Sequence, residues 1–294
     1  MDNEDAQLSF FVIEALGVIL SSHDVHYLPI FAAKIAPLIA DWTHPACIPA
    51  DRKLGIFLID DLLEHVGLRA VDPSTGLHYA STYLPVLARC ATDVHAETRQ
   101  AALYGIGAAA ESVGAAMAPY LGLCVAALVD ALSAVSSGKR KRSEVEDNAV
   151  TALGKVIIHQ YDAGSGAPVY AGATSACPHR QDLVNAFLLG MPCLADRDEA
   201  RVAVQMLCSF LDHRDPALLG GGGADVIPRL THAVHIFAVT LGDKLVCTPL
   251  IRRRVLASLS ALNTALPAQT LALVWGALPD ADRAAIASAS ASTD

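Results

Sequence analysis

Asp93-Val94-His95-Ala96-Glu97-Thr98-Arg99-Gln100-Ala101-Ala102 is the stretch on which the fold turns. Asp93 stands at a turn, where its carboxylate can accept from the free N–H groups that open a helix. Six residues on comes Arg99, and then small residues that let a second helix approach. The stretch reads as a loop, a cap and the start of a closely packed helix. Asp51-Arg52 and Glu199-Ala200-Arg201 are weaker echoes of it.

Outward from this point, helical spacing of apolar residues recurs along the chain. Leu8, Val12, Leu16 and Ile19 share one helix face, as do Leu54, Leu58 and Leu62 with Ile59 and Val66. Val202, Met206 and Phe210 form a third stripe, and Val255, Leu259 and Leu262 a fourth. Between these helices, Pro29, Pro85, Pro119 and Pro228 are each expected at the start of an apolar helix, where a missing N–H costs nothing. Gly17, Gly107 and Gly154 fall at one phase of their helices; Gly17 to Gly107 is 90 residues and Gly107 to Gly154 is 47. A glycine inside a helix costs roughly 1 kcal/mol against alanine, so its return at one phase points to close helix contact. A period near 45 with two helices per unit fits the roughly 40–47-residue HEAT or armadillo class.

The expected fold is therefore all-α: a HEAT-repeat α-solenoid, a right-handed superhelix of antiparallel helix pairs, as one array of about six pairs over residues 1–294. First helices are expected near Asn3, Pro49, Ala96, Ser143, Arg197 and Thr248, and second helices near Leu28, Tyr79, Ala115, Gln181, Asp225 and Pro267. Residues 135–143 read as a basic loop, 161–180 as a flexible loop rich in Gly, Ala, Ser and Pro, and 287–294 as a disordered tail. Composition agrees: 294 residues, 53% hydrophobic but only 5% aromatic, dominated by the strong helix formers Ala and Leu.

Several function classes lose support. A net charge of −9 argues against nucleic acid as the main ligand. The one basic cluster, Lys139-Arg140-Lys141-Arg142, reads as a solvated loop after Ser136-Ser137-Gly138 rather than a localisation signal. Gly220-Gly221-Gly222-Gly223 lacks the Gly-Lys-Ser/Thr of a phosphate loop. Seven scattered cysteines without a Cys-x-x-Cys pair give neither a disulfide framework nor a zinc site; they read as small buried hydrophobes in a reducing compartment. His23, His26 and the single Glu64-His65 pair leave a HEAT-like di-iron hydroxylase short of ligands. No Gly-x-Ser-x-Gly elbow occurs. No enzyme activity, metal or cofactor is expected. Residues 113–129 and 255–279 lack charge, but prolines and polar residues break them, so they read as buried helices rather than membrane spans. The acidic start, Met1-Asp2-Asn3-Glu4-Asp5, does not resemble a secretory signal.

Longer runs bring a resemblance. Tyr27-Leu28-Pro29-Ile30-Phe31, Ile35-Ala36-Pro37-Leu38, Asp51-Arg52 and Phe57-Leu58-Ile59-Asp60-Asp61-Leu62-Leu63-Glu64 resemble, in this order, the late repeats of the importin-beta (karyopherin-beta) family, of the importin beta-3 (importin five-like) type. Thr98 onward to Gly107, Asp147 onward to Val156, 196–212 and Leu278-Pro279-Asp280-Ala281-Asp282-Arg283 continue the series. The resemblance implies the C-terminal portion of a nuclear transport receptor shuttling between cytoplasm and nucleus. It implies as partners protein cargo, phenylalanine-glycine nucleoporins and Ran, with no nucleic acid and no membrane insertion. In that family cargo lies on the face of second helices, where Asp130, Asp182 and Asp225 are the acidic candidates here. Trp42 and Trp275 are aromatic candidates for protein binding, although such residues also close gaps between repeats. Asp93, Arg99, Gly107 and Gly154 are the repeat signature, the arginine commonly pairing in such proteins with the aspartate of a neighbouring repeat. The acids of the first helices, Glu14, Asp60, Asp61, Glu64, Glu111, Glu144, Glu146 and Asp147, read as a solvated face. The alternatives are another HEAT-repeat scaffold and, more remotely, a HEAT-like metalloenzyme. Family members are several times longer, so an array cut at its first repeat would expose an apolar face and self-associate.

Overall fold

A computed structural model describes residues 3–136, 143–173, 177–220 and 226–291; side chains at 3–6 and 134–136 are not described. The basic cluster at 139–142, glycines 221–223 and Asp225 lie outside the described residues. The chain divides into two compact units, Met1–Tyr161 with Pro168–Pro178, and Asp162–Ala167 with His179–Asp294. Among the described residues there is no strand; two isolated antiparallel bridges, Val71 to His78 and Tyr161 to Pro168, close turns.

In the first unit, α1 (Asn3–His23) leads through 3-10 residues Asp24–Tyr27 into α2 (Leu28–Ile30), a π turn at Phe31–Ile35 and α3 (Ala36–Trp42). Then follow α4 (Pro49–His65), α5 (Ala80–Cys90), α6 (Ala96–Ser112), the 3-10 segment Gly114–Tyr120, α7 (Leu121–Ser136) and α8 (Glu144–Gln160). The first helices α1, α4, α6 and α8 stack in chain order, and α3, α5 and α7 back them as a second layer. In the second unit, α9 (Arg180–Leu189) precedes α10 (Arg197–Asp212), α11 (Pro216–Leu219) and α12 (Val226–Gly242). After them come α13 (Pro249–Ala265), α14 (Ala268–Ala277) and α15 (Asp280–Ala291). There α10 packs on α13, and α12 on α14 and α15. The first helices thus begin at Asn3, Pro49, Ala96, Glu144, Arg197 and Pro249, and α15 extends helix through 287–291, inside the stretch read as a tail.

Local sequence accounts for these boundaries. Pro49 occupies the first turn of α4, after an extended Ile48. Ser143 and Glu146 form a reciprocal capping box on α8, and Asp196 accepts from the N–H groups of Asp198 and Glu199. The ends share a device that periodicity does not reveal. Asp24, Gly67, Gly114 and Arg214 follow α1, α4, α6 and α10 with φ of 52°, 54°, 53° and 50°. A left-handed residue there stops the helix and turns the chain back. At Gly67 an added Cβ would also lie 2.9 Å from the carbonyl oxygen of Ser112. Pro85 departs from the expected helix start: it lies inside α5, where its ring removes an N–H from the helix ladder.

Packing is tightest between first helices. A Cβ on Gly107 would fall 2.9 Å from the Cα of Ala152, so α6 and α8 are in backbone contact, and Gly154 is buried in α8. Ala101, Ala102, Leu103, Ile106, Ala108 and Ala109 of α6 are buried, since both flanks of this helix are covered. Helix α1 is covered by α4 on one side only. Ile13 and Leu20 are buried there, whereas Leu8, Phe11, Val12 and Val18 on the opposite stripe are 50–65% exposed. Gln7–Trp42 and Gly114–Ser133 are long and apolar enough to cross a membrane by length and composition; both are interrupted by 3-10 or π turns. None of the seven cysteines is in a disulfide; four are buried and three half-buried.

Candidate protein-binding faces

Side chains of one repeat reach into the next along the first helices. Asp93, in the loop before α6, receives Arg52 of α4 in a bidentate pair, Nε to Oδ2 at 2.8 Å and Nη2 to Oδ1 at 3.0 Å. The same Oδ1 accepts from the His95 N–H, 2.9 Å away. Burial opposes ionisation of Asp93, but the hydrogen bonds and the Arg52 charge outweigh it and hold the carboxyl below its usual range. Arg99 turns back to the carbonyls of Asp93 and Val94 at 2.8 and 3.0 Å. Lys53 meets Glu97, Lys155 meets Glu111, and the Tyr104 hydroxyl donates to Glu64. In the second unit Arg180 and Asp215 form a pair with both side chains 4% exposed.

The acids of the first helices do not form one solvated face. Asp60, Glu146 and Asp147 are buried, because helices sandwiched on both flanks leave few positions facing water. Glu146 is held by the Ser143 N–H and hydroxyl at 2.8 and 2.7 Å. Neither oxygen of Asp60 has a hydrogen-bond partner among the described residues. Its carboxylate lies against Gly105 of α6, in the space a side chain there would take. Desolvation, and then the charges of Asp61 and Glu64, push the Asp60 pKa well above the usual carboxylate range. Asp61 is pushed up to about 6 by burial, with His65 opposing and Glu64 adding.

Of the five binding candidates, Asp225 lies outside the described residues, and the other four are described within their own units. Asp130 of α7 and Asp182 of α9 are exposed and belong to different units. Trp42 is half-buried at the end of α3, its Cβ close against Gly55 of α4. Trp275 is half-buried, with its indole N–H 3.4 Å from Asn263 Oδ1, among Leu230, Leu262, Leu266 and Leu271. Both tryptophans pack between helices of their own units. Among the described residues no group of three or more His, Cys, Asp or Glu could hold a metal ion.

What sequence reasoning missed is a cleft on the second-helix layer of the first unit. Ala36, Ile39, Ala40 and Thr43 of α3 and its end, with Tyr79, Thr82, Tyr83, Val86 and Arg89 of α5, enclose about 330 Å³. Asp72 lies on its rim, at the start of a turn in which Asp72 Oδ1 accepts from the Ser74 N–H and hydroxyl at 2.8 and 2.7 Å. The Asp72 carbonyl accepts from the Gly76 N–H, and the Asp72 N–H donates to the Leu77 carbonyl. The same turn recurs at Asp162, with Ser165 on Oδ1, the Gly166 N–H on its carbonyl and its own N–H on Ala167. Gly76 and Gly166 both have φ of 70°. Asp72 to Asp162 and Gly76 to Gly166 are each 90 residues, two repeat periods, so the Asp-x-x-x-Gly spacing is the signal that could have found it. The stretch at 161–180 therefore opens on an ordered, repeated turn; residues 174–176 within it lie outside the described residues.

No protein-family model matches the chain. Mouse importin-4 is 23% identical to it over 186 residues, which span 63% of this chain and 16% of that protein. The crystal structure of Kap121p bound to RanGTP superposes with a TM-score of 0.65 at 17% identity, over 97% of this chain and 23% of Kap121p. Kap121p bound to Nup53p gives 0.61 at 18% identity, over 98% and 23%. The chain thus spans less than a quarter of the length of the relatives it matches. The likeness in structure shows the fold, an all-α HEAT-repeat solenoid, and the likeness in sequence is to an importin.

Proposed function

We propose that this chain is the C-terminal HEAT-repeat portion of a nuclear transport receptor of the importin-beta family, of the importin beta-3 type, which carries protein cargo between cytoplasm and nucleus. One observation carries the reading. Over 97% of its length the chain superposes on the karyopherin Kap121p, and importin-4 matches it in sequence over 186 residues. Kap121p is known in complexes with RanGTP, Nup53p and the SUMO protease Ulp1p. For the protein to which this chain belongs we infer partners of the same three kinds: Ran, a pore protein with phenylalanine-glycine repeats, and protein cargo. The mechanism is mechanical rather than catalytic. Each helix pair packs only on its neighbouring pairs, so many small helix shifts can add up to a change of curvature. A ligand that prefers one curvature then releases a partner that prefers another.

The test is a titration of the purified chain with a phenylalanine-glycine repeat peptide, read by NMR and by the fluorescence of Trp42 and Trp275. Saturable binding, lost when the peptide phenylalanines become serine, is the expected result. Binding that survives that replacement, or none, favours a HEAT scaffold of another kind.

A further inference from the structure

Two adjacent carboxylates of α4 stand where a stack of helices ordinarily places apolar side chains. Asp61 faces Gly17 of α1, where an added Cβ would lie 2.6 Å from Asp61 Oδ2. Asp60 faces Gly105 of α6, where an added Cβ would overlap Asp60 Oδ1 and lie 3.1 Å from Leu87 Cδ1 of α5. Both seams of α4 thus close on a glycine, and a carboxyl group fills the room its missing side chain leaves. The two acids differ in what answers them. Asp61 is partly exposed and has His65 at 3.9 Å, one turn on. Asp60 is 4% exposed, and neither oxygen meets a donor among the described residues. The charges that act on Asp60, those of Asp61 and Glu64, share its helix and its sign. Across the seam, the Tyr104 hydroxyl of α6 is given to Glu64, and Arg99 is held by the carbonyls of Asp93 and Val94. On α5, Arg89 is held by the Thr43 carbonyl, and Tyr83 and Cys90 are neutral, both raised by burial. Glu14 and His23 of α1 and Asp41 of α3 are exposed, and Arg69, after α4, pairs with Asp24.

We propose that Asp60 is a proton-operated wedge in the first-helix stack: with its proton on, α4 closes against Gly105 of α6, and with its proton off the carboxylate draws water into that seam and tilts the two helices apart. The reason is solvation. A neutral carboxyl group can be left in an apolar seam at modest cost, whereas a carboxylate with neither donor nor cation cannot. Gly105 presents no side chain at this point, so a small tilt makes room for water without unlocking interdigitated groups. The neighbouring seam lacks the device, since Gly107 of α6 meets Ala152 and the stem of Lys155 on α8 rather than a carboxylate. Burial places the titration of Asp60 well above the ordinary carboxylate range, so the seam stays closed in mild acid and opens as pH rises. The inference goes beyond the transport reading and stands apart from it, because it uses the packing of α4, α5 and α6 and no property of the relatives.

The experiment labels the glycine Cα atoms of the full chain with 13C and adds a soluble gadolinium chelate, which broadens the signals of nuclei that solvent can approach. Gly105, Gly107 and the exposed Gly76 are followed by NMR from mild acid to mild base. In acid, Gly105 and Gly107 should both be shielded and Gly76 broadened, since the first two are buried. Opening releases a proton, so the ratio of open to closed seam rises by up to about tenfold per pH unit until the titration of the closed form is passed. Gly105 should therefore broaden toward the level of Gly76 as pH rises, while Gly107 stays shielded. Asp60→Asn, which has no proton to lose, should keep Gly105 shielded throughout; Asp60→Leu, of similar shape, takes its place if the Asn variant does not fold. A Gly105 shielded at every pH overturns the proposal. So does a Gly107 that broadens in step with it, because the unit then unfolds rather than opening one seam. A pH response that persists in the variant belongs to another group and overturns it too.

Discussion

Asp60→Asn should make the protein more stable as pH rises, and the size of the gain follows from where Asp60 sits. The side chain is 4% exposed, both oxygens lack partners, and Asp61 and Glu64 stand near it. Its folded pKa is raised well above 3.8, chiefly by desolvation. Between those two values the native state binds a proton that the unfolded chain has released. Stability therefore falls with rising pH in that window, by at most about 1.4 kcal/mol per pH unit for one group. Asn keeps the shape and cannot ionise. The two proteins should match near pH 4, diverge as pH increases, and run parallel once the folded pKa is passed; that turning point measures it. Asp61, raised from 3.8 to about 6, adds a slope of the same sign to both proteins. Its full shift corresponds to about 3 kcal/mol at about 1.4 kcal/mol per unit, which partial exposure reduces to about half. Urea unfolding at pH 4 to 8 reads the difference, and thermal scans should show about 2–4 °C for each kcal/mol. Stability curves that stay parallel from pH 4 upward, or a wild type that gains on the variant with pH, would refute the reasoning.

Gly107→Ala should destabilise despite better helix propensity. The gain is about 1 kcal/mol, but the new Cβ lies 2.9 Å from the Cα and 3.0 Å from the Cβ of Ala152, neither of which can move without its backbone; overpacking of this kind costs about 1–3 kcal/mol. A rise in the urea midpoint would contradict the close approach of α6 and α8. Arg180→Ala should cost about 3–5 kcal/mol by leaving Asp215 buried without its cation, and a loss below about 1 kcal/mol in urea unfolding would show that water reaches the pair. Phe11→Ser with Val18→Ser should abolish concentration-dependent association in sedimentation, because both lie on the exposed apolar stripe of α1. A wild type that stays monomeric at high concentration would defeat that expectation.

The sequence by itself determined what is local and periodic. Apolar residues at helical spacing, Pro49 at a first turn, Asp196 at a cap and glycines near a 45-residue period set where helices start and that they pair. Helix geometry depends on residues within one turn, so the pattern is visible along the chain. The left-handed stops at Asp24 and Arg214 were hidden because no glycine marks them. What only the tertiary structure decided is the environment of each side chain. Asp60 and Glu64 lie one helical turn apart, yet one is buried without a partner and the other is exposed and bonded to Tyr104. Asp130 and Asp182 look alike in the sequence as candidates for one face but fall in different units. Tyr79 reads as a helix start, and the cleft it shares with Asp72 exists only because α5 lies beside α3. Burial, partner and pKa are set by what a neighbouring element places against a residue, and that information is spread over positions tens of residues apart.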